Sequence, residues 1–236
     1  MKRPGSSGER RAQERFGTAT RAEAFYANQM LDRLNQPMRQ FIARQEMVFI
    51  ATADARGACD CSFRAGTPGF VSVLNEKTIA YPEYRGNGVL ASLGNILANP
   101  HIGMVFLDYY QSTVGLHVNG TARVLNPDDI MDFPDLPAGI VEASRVKEGR
   151  RPEAWIIVQV EEAYIHCSKH VPLLKRLDKQ IAWGTAMNPS KAGISSRCGA
   201  NRTDSPHQMV RPDRSACYCF CLARANASAM APIGWG

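Results

Sequence analysis

Six apolar runs separated by short turns constrain the fold of this chain more than any other feature. The runs lie at residues 47–53, 69–74, 78–81, 102–109, 113–125 and 154–167. Turn-forming residues separate the early runs, as at residues 54–57 and 75–77. Because successive strands joined by tight turns pair in antiparallel fashion, the sequence predicts a mainly β fold of the barrel or sandwich type.

A strand-to-helix junction at residues 79–100 carries the most informative motif. Its turn contains Arg85, Gly86, Asn87 and Gly88. Backbone N–H groups at a helix N-terminus are unpaired and partly positive, and arginine adds a planar fork that matches phosphate oxygens. The junction therefore predicts a phosphate-binding site. On spacing alone an alternative stays open, in which Arg85 is a surface charge and the glycines only turn the chain.

The order of elements around this turn resembles the flavin-binding split-barrel proteins related to pyridoxamine 5'-phosphate oxidase. The resemblance covers about residues 36–175 and is strongest to a bacterial subgroup with two motifs, R-G-N-G at the phosphate turn and H-C-x-K after the last strand. Here the motifs stand at residues 85–88 and 166–169. The resemblance implies a six-stranded antiparallel FMN-binding split barrel with covering helices, assembled as a homodimer with the flavin at the subunit interface.

The same resemblance implies which residues hold the FMN. Arg85 would pair with the phosphate, while Asn87 and Ser92 would donate hydrogen bonds to the phosphate or the ribityl chain. Further residues would line the flavin or supply a second cation, namely Ser62, Phe63, Arg64, Tyr81, Pro82 and Lys169. No catalytic residue is identified, since a flavin ring would itself carry the hydride chemistry.

The function implied by the resemblance is that of an FMN-dependent oxidoreductase acting on an unknown small molecule, with NAD(P)H as a candidate electron donor. The chain departs from the true oxidase at two places. Residues 85–88 replace a Ser-Arg-Lys cluster, and Val114-Gly115 stands where a glutamine is expected. These departures argue against pyridoxamine 5'-phosphate as the substrate. Two alternatives stay open, a deazaflavin-dependent reductase and a non-catalytic flavin- or haem-binding carrier or sensor.

The net charge of +6 does not indicate a nucleic-acid partner. Residues 184–236 supply +4 of it, and the rest of the chain has no basic stripe interleaved with aromatic residues. No apolar run approaches the roughly 18 residues that span a bilayer, and residues 1–25 lack an apolar signal core. We therefore expect a cytoplasmic protein with no membrane partner. Cys59 and Cys61 lack the spacing of a structural zinc site, so no metal is expected.

The composition divides the chain into five segments. Residues 1–21 are expected to be flexible, and residues 22–44 to form helices that Pro37 separates. Residues 45–175 would form the FMN-binding split barrel, followed by a short helix at residues 176–183. Residues 184–236 are rich in Gly, Pro, Ser and Asn without a sustained period, and are expected to be disordered.

Overall fold

One β-sheet forms the core of the described residues, and five α-helices lie before it or between its strands. The computed structural model describes residues 4–146, 151–166 and 168–177. The helices are α1 (Ser7–Arg15), α2 (Ala19–Asn28), α3 (Gln36–Ala43), α4 (Ala91–Ala98) and α5 (Ala138–Arg145). The strands are β1 (Met47–Ala53), β2 (Cys59–Ala65), β3 (Ser72–Asn75), β4 (Thr78–Glu83), β5 (His101–Leu107), β6 (Gly115–Leu125) and β7 (Ala154–His166).

All seven strands belong to one antiparallel sheet in the order β2-β1-β5-β6-β7-β4-β3. The predicted mainly β antiparallel fold is confirmed, but the expected number of six strands is one too few. The strand absent from the six apolar runs is β2, which pairs with β1 over its whole length from Ala53↔Cys59 to Met47↔Ala65. The turn before it is held by Asp54, whose carboxylate accepts hydrogen bonds from the backbone N–H groups of Arg56 (2.8 Å) and Ala58 (2.9 Å).

Alternation along the strands sends apolar side chains to both faces of the sheet. The larger cluster fills the inner face and includes the fully buried Phe106, Leu116 and Ile156, with α3 packed against it. A smaller cluster forms on the opposite face, where Trp155 and neighbouring side chains pack under α5. The two-sided burial explains why β4 and residues 154–158 of β7 are apolar almost throughout, since a segment covered on both faces has no solvent-facing positions.

A bulge interrupts the long ladder between β6 and β7. Asn119 pairs with Glu162 and Gly120 pairs with Val160, so Glu161 is an extra residue in β7. At this point the two backbones approach so closely that a Cβ atom on Gly120 would collide with the carbonyl oxygen of Gln159. Only glycine fits such an approach, which is a common role of glycine within strands.

The helices before the sheet follow their capping residues. Asn35 caps α3 by accepting a hydrogen bond from the Met38 backbone N–H at 3.0 Å, and Pro37 lies in the first turn of that helix. Pro37 therefore begins a helix, as its fixed φ allows, and the break from α2 lies before it. Residues 7–15, within the segment expected to be flexible, form α1 because the Ser6 hydroxyl caps the Glu9 N–H.

The C-terminal predictions fall mostly outside the described residues. Residues 172–177 are not helical, and residues 178–183 of the predicted short helix and the predicted disordered tail 184–236 lie beyond what the structure describes. Among the helices that it does describe, none is long and apolar enough to cross a membrane.

Candidate functional site

The junction between β4 and α4 is an exposed turn that ends in an uncapped helix. After β4 ends at Glu83, residues 85–90 are all exposed. The Asn87 side chain accepts a hydrogen bond from the Val89 N–H at 3.0 Å, and Gly88 has a left-handed φ of +79°. Leu90, the residue before α4, is also left-handed (φ 53°), and no side chain caps the helix there. The first N–H groups of α4 are thus left as donors beside the turn.

Arg85 is the cation of this turn. Its side chain is exposed, and within the described part of the chain it takes part in no hydrogen bond or ion pair. A guanidinium without a protein partner, five residues before an uncapped helix start, is available for an external anion. Arg85 and the uncapped start of α4 thus belong to one exposed turn, and their joint role in binding an anion stays a prediction.

Three polar side chains join β2 to the first turn of α4. The Ser62 hydroxyl donates to Asp60 Oδ2 at 3.0 Å, and the Ser92 hydroxyl lies 3.2 Å from both Asp60 Oδ2 and Ser62 Oγ. Ser92 is only 2% exposed. The structure thus brings together the predicted residues Ser62 and Ser92. They meet around the Asp60 carboxylate, which no sequence motif indicated.

A second contact fixes α4 against the sheet. The Asn95 side-chain amide donates to the Thr52 hydroxyl in β1 at 3.0 Å, and Thr52 is buried. Leu93 and Ile96 bury the apolar side of the same helix. With both polar and apolar contacts, α4 has a fixed position from which its N-terminus faces the Arg85 turn.

Arg64 is engaged within the protein. Its Nε donates to Glu83 Oε2 at 2.8 Å, and the two side chains are 19% and 11% exposed. Burial raises the pKa of the Glu83 carboxyl above its usual range, and the hydrogen bond and charge of Arg64 oppose that rise. Since β2 and β4 are not neighbours in the sheet, this ion pair joins the edge strand β2 to a strand near the opposite edge.

Phe63 points away from Ser62 and Arg64, because successive side chains of a strand alternate between faces. Its ring is 52% exposed and lies against Phe49, with centroids 5.5 Å apart. The structure therefore presents Phe63 on the outer face of β2, separate from the polar group around Asp60.

Tyr81 and Pro82 are buried rather than at the surface of the site. Tyr81 is fully buried, and among the described residues its hydroxyl has no hydrogen-bond partner. Burial raises the pKa of this phenol well above its ordinary value of 10. Pro82 pairs with Trp155 in the β4–β7 ladder. Both residues support the end of β4 from within the core.

The unpaired hydroxyl leads to a stability prediction. Tyr81→Phe is expected to raise the free energy of unfolding by about 1 kcal/mol, because it removes a buried donor that makes no hydrogen bond. Urea unfolding followed by circular dichroism would measure the change. Tyr26→Phe is the control, since the Tyr26 hydroxyl donates to Glu9 at 2.7 Å and accepts from Gln13 at 2.8 Å, and its loss should be destabilising. A destabilised Tyr81→Phe variant would show that the hydroxyl is satisfied.

Lys169 lies far from Arg85 within one chain. It is exposed in a short 3₁₀ helix, Ser168–His170, that follows β7. The start of β7 pairs with β4 at Ala154↔Glu83, whereas its end pairs with β6 at Gly115↔His166. About 40 Å of extended strand separates the two ends, at about 3.3 Å for each residue. A single chain does not bring Lys169 together with the phosphate turn.

Asp60 and Glu83 are polar residues at this site that no sequence motif indicated. A signal for Asp60 was present, since Asp60, Ser62 and Arg64 alternate along one strand and share one face. The described residues contain no group of three or more His, Cys, Asp and Glu side chains that could hold a metal ion.

The fold is a seven-stranded antiparallel split barrel with an exposed arginine turn between β4 and α4. The family model described as pyridoxamine 5'-phosphate oxidase matches residues 34–167, more than half of the chain. The chain therefore belongs to the pyridoxamine 5'-phosphate oxidase family, and the resemblance inferred from its motifs is confirmed. No curated protein matches it.

Several solved structures are similar to this chain at low sequence identity. A putative pyridoxamine 5'-phosphate oxidase from Lactobacillus delbrueckii is 20% identical, with 58% of this chain and 98% of the other covered at a TM-score of 0.42. An FMN-binding protein from Syntrophomonas wolfei is 14% identical, with 58% and 85% covered at 0.40. The haem storage protein HutZ from Vibrio cholerae is 14% identical, with 57% and 94% covered at 0.37. With values this low, family membership rests on the family model.

Proposed function

We propose that this protein binds FMN and acts as an FMN-dependent oxidoreductase on a small molecule. The observation that carries the proposal is the Arg85 guanidinium, which has no partner among the described residues and lies beside the uncapped start of α4. Membership of the pyridoxamine 5'-phosphate oxidase family supports a flavin as the ligand. The departures from the true oxidase at residues 85–88 and 114–115 argue for a different substrate.

The donors at the junction fit a phosphate monoester. Arg85 offers a bidentate fork, and the first N–H groups of α4 offer unpaired donors with partial positive charge. Asn87 adds a side-chain amide that can donate at the same turn. When bound, a flavin supplies hydride-transfer chemistry, and the protein's part is to bind, orient and shield it. We include Ser62 among the residues that bind and orient the flavin. The exposed ring of Phe63 lies on the opposite face of β2, where it could contact a flavin only in an assembly of two chains.

We also propose a homodimer with the flavin at the subunit interface. Arg85 and Lys169 lie at opposite ends of β7 in one chain, so a shared site would need Lys169 from a second copy. The outer face of β2 and β1 supports this assembly, because it exposes Phe63 and leaves Ala51 open to solvent. Sedimentation of the purified protein would test it, and a monomer that binds FMN tightly would contradict it. A cytoplasmic location stays a prediction.

The identity of the cofactor is tested by the purified protein itself. Its absorbance spectrum before and after heat release, with the released molecule identified by mass, should show one FMN for each chain. Bleaching of the flavin bands by NADH or NADPH would support an oxidoreductase, and pyridoxamine 5'-phosphate should not be turned over. A released deazaflavin or haem, or a colourless protein that binds no added FMN, would overturn the proposal.

Arg85→Ala should weaken FMN binding roughly ten- to a hundredfold, the range for loss of a charge-assisted hydrogen bond. Riboflavin, which lacks the phosphate, should bind the variant and the original protein equally. Quenching of flavin fluorescence would give both dissociation constants. Arg11→Ala removes an exposed arginine from α1 and serves as the control, with no change expected for either ligand. Equal losses for FMN and riboflavin would place Arg85 away from the phosphate.

A further inference from the structure

The Asp60 carboxylate lies at a position where its negative charge would repel a phosphate bound to Ser62 and Ser92. Its Oδ2 atom accepts a hydrogen bond from Ser62 at 3.0 Å and lies 3.2 Å from the hydroxyl of Ser92. Ser92 is the second residue of α4, so the carboxylate already lies beside the helix N-terminus. A phosphate bound directly to Ser62 and Ser92 would bring two anions together, and like charges at this distance repel.

The hydroxyl groups of Ser62 and Ser92 have few hydrogen-bond donors left for a ligand. Each serine has one O–H donor, and the Ser62 proton is directed at Asp60. The Ser92 proton is directed at either Asp60 or Ser62, both at 3.2 Å. These three side chains therefore present mainly acceptor atoms. A ligand group that binds them must bring its own hydrogen-bond donors.

The second oxygen of the carboxylate is available for such a ligand. Among the described residues the hydrogen bonds to Asp60 both involve Oδ2, which leaves Oδ1 without a protein donor. Asp60 and Ser62 are half-buried, so the group is reachable but sheltered. Hydroxyl groups of a polyol chain are donors and acceptors at once, and they match both the carboxylate and the serine oxygens.

We propose that Asp60 and Ser62, held in position by the buried Ser92, bind the hydroxyl groups of the ribityl chain, while Arg85 and the start of α4 bind the phosphate. This inference rests on the proposed function, since it assigns a part of the same ligand to residues of the same site. The carboxylate then discriminates among phosphate esters by favouring those whose phosphate is attached to a polyhydroxyl chain.

The test compares three flavins on two variants. FMN has the ribityl chain and the phosphate, riboflavin has the chain only, and lumiflavin has neither. Asp60→Ala should weaken FMN and riboflavin by the same factor, about tenfold, as expected for a lost hydrogen bond to a charged group. Lumiflavin, measured by competition against FMN, should change less than twofold. Asp60→Asn keeps the side-chain shape and should give a smaller loss in the same pattern.

Matched controls separate binding from folding. Asp132→Asn makes the same change of charge at an exposed residue after β6 and should leave all three ligands unaffected. Thermal unfolding of each variant without flavin shows whether it is folded.

The outcomes distinguish this inference from the proposed function. If the original protein binds no FMN, the proposed function fails. If FMN binds but Asp60→Ala leaves riboflavin unaffected, or weakens lumiflavin equally, the ribityl assignment is wrong while the function stands. An FMN affinity that rises in Asp60→Asn without a change for riboflavin would place the carboxylate beside the phosphate and also overturn the inference.

Discussion

Replacing Gly120 with alanine is expected to destabilise the fold by about 3 kcal/mol or more, an effect at the upper end for an overpacked site. Gly120 lies at the bulge between β6 and β7, where an added Cβ atom would collide with the Gln159 carbonyl oxygen. The obstacle is backbone in the middle of a ladder rather than a flexible side chain. Relief would therefore require the two central strands to separate.

Gly139→Ala is the matched control, since it makes the same substitution in α5, where no atom lies within 4 Å of the added carbon. Alanine is the better helix former, so that variant should be unchanged or stabilised by up to about 1 kcal/mol. Urea unfolding of both variants would measure the difference. If Gly120→Ala were as stable as the original protein, the close approach at the bulge would be contradicted.

Breaking the ion pair between Arg64 and Glu83 should be the second large effect. Arg64→Leu leaves the Glu83 carboxylate buried without its partner, and we expect a loss of about 3 kcal/mol at neutral pH, the lower end for a broken buried pair. Arg56→Leu is the control, because Arg56 pairs with Asp54 while its side chain is 88% exposed. That exposed pair should contribute little to stability, because water screens it.

The loss in Arg64→Leu should depend on pH. Burial raises the folded-state pKa of Glu83 above its ordinary value of 4.5, and removal of Arg64 removes the charge that opposes this rise. A group with a raised folded pKa favours the folded state when protonated, and that contribution is lost as pH rises through the folded pKa. The gap between Arg64→Leu and the original protein should therefore narrow as the pH falls from 7 towards 4.5. A gap independent of pH would show that lost packing, not the buried charge, destabilises the variant.

The positions of the strands along the chain could be anticipated from the sequence where local signals are strong. Apolar runs and turn residues predicted β1 and β3 to β7, because alternation and tight turns act over a few residues. The strand β2 was not indicated by an apolar pattern, since Asp60, Ser62 and Arg64 give it a polar face and remove the usual apolar alternation. That polar face is explained only by contacts with α4 and β4, which are distant in the sequence.

The site was predictable only in part for the same reason. The position of Arg85 at a strand-to-helix turn follows from neighbouring residues, and the structure has that turn. The contact between Ser92 and Asp60 joins residues 32 apart, and the pair between Arg64 and Glu83 joins residues 19 apart. Such contacts depend on how the sheet folds back on itself, and no local pattern encodes them. Lys169 belongs to a motif that can be recognised in the sequence. The sequence does not reveal that Lys169 and Arg85 lie at opposite ends of β7.

The position of β2 at the margin of the sheet has a consequence for how the protein behaves in a crowded solution. An outer strand offers unpaired backbone groups to any other extended chain, and charged side chains discourage such strand addition. Asp60 and Arg64 are charged residues on that strand. Replacing both with apolar residues would therefore favour aggregation of the folded protein, and it would also break the contacts of β2 with Ser92 and Glu83.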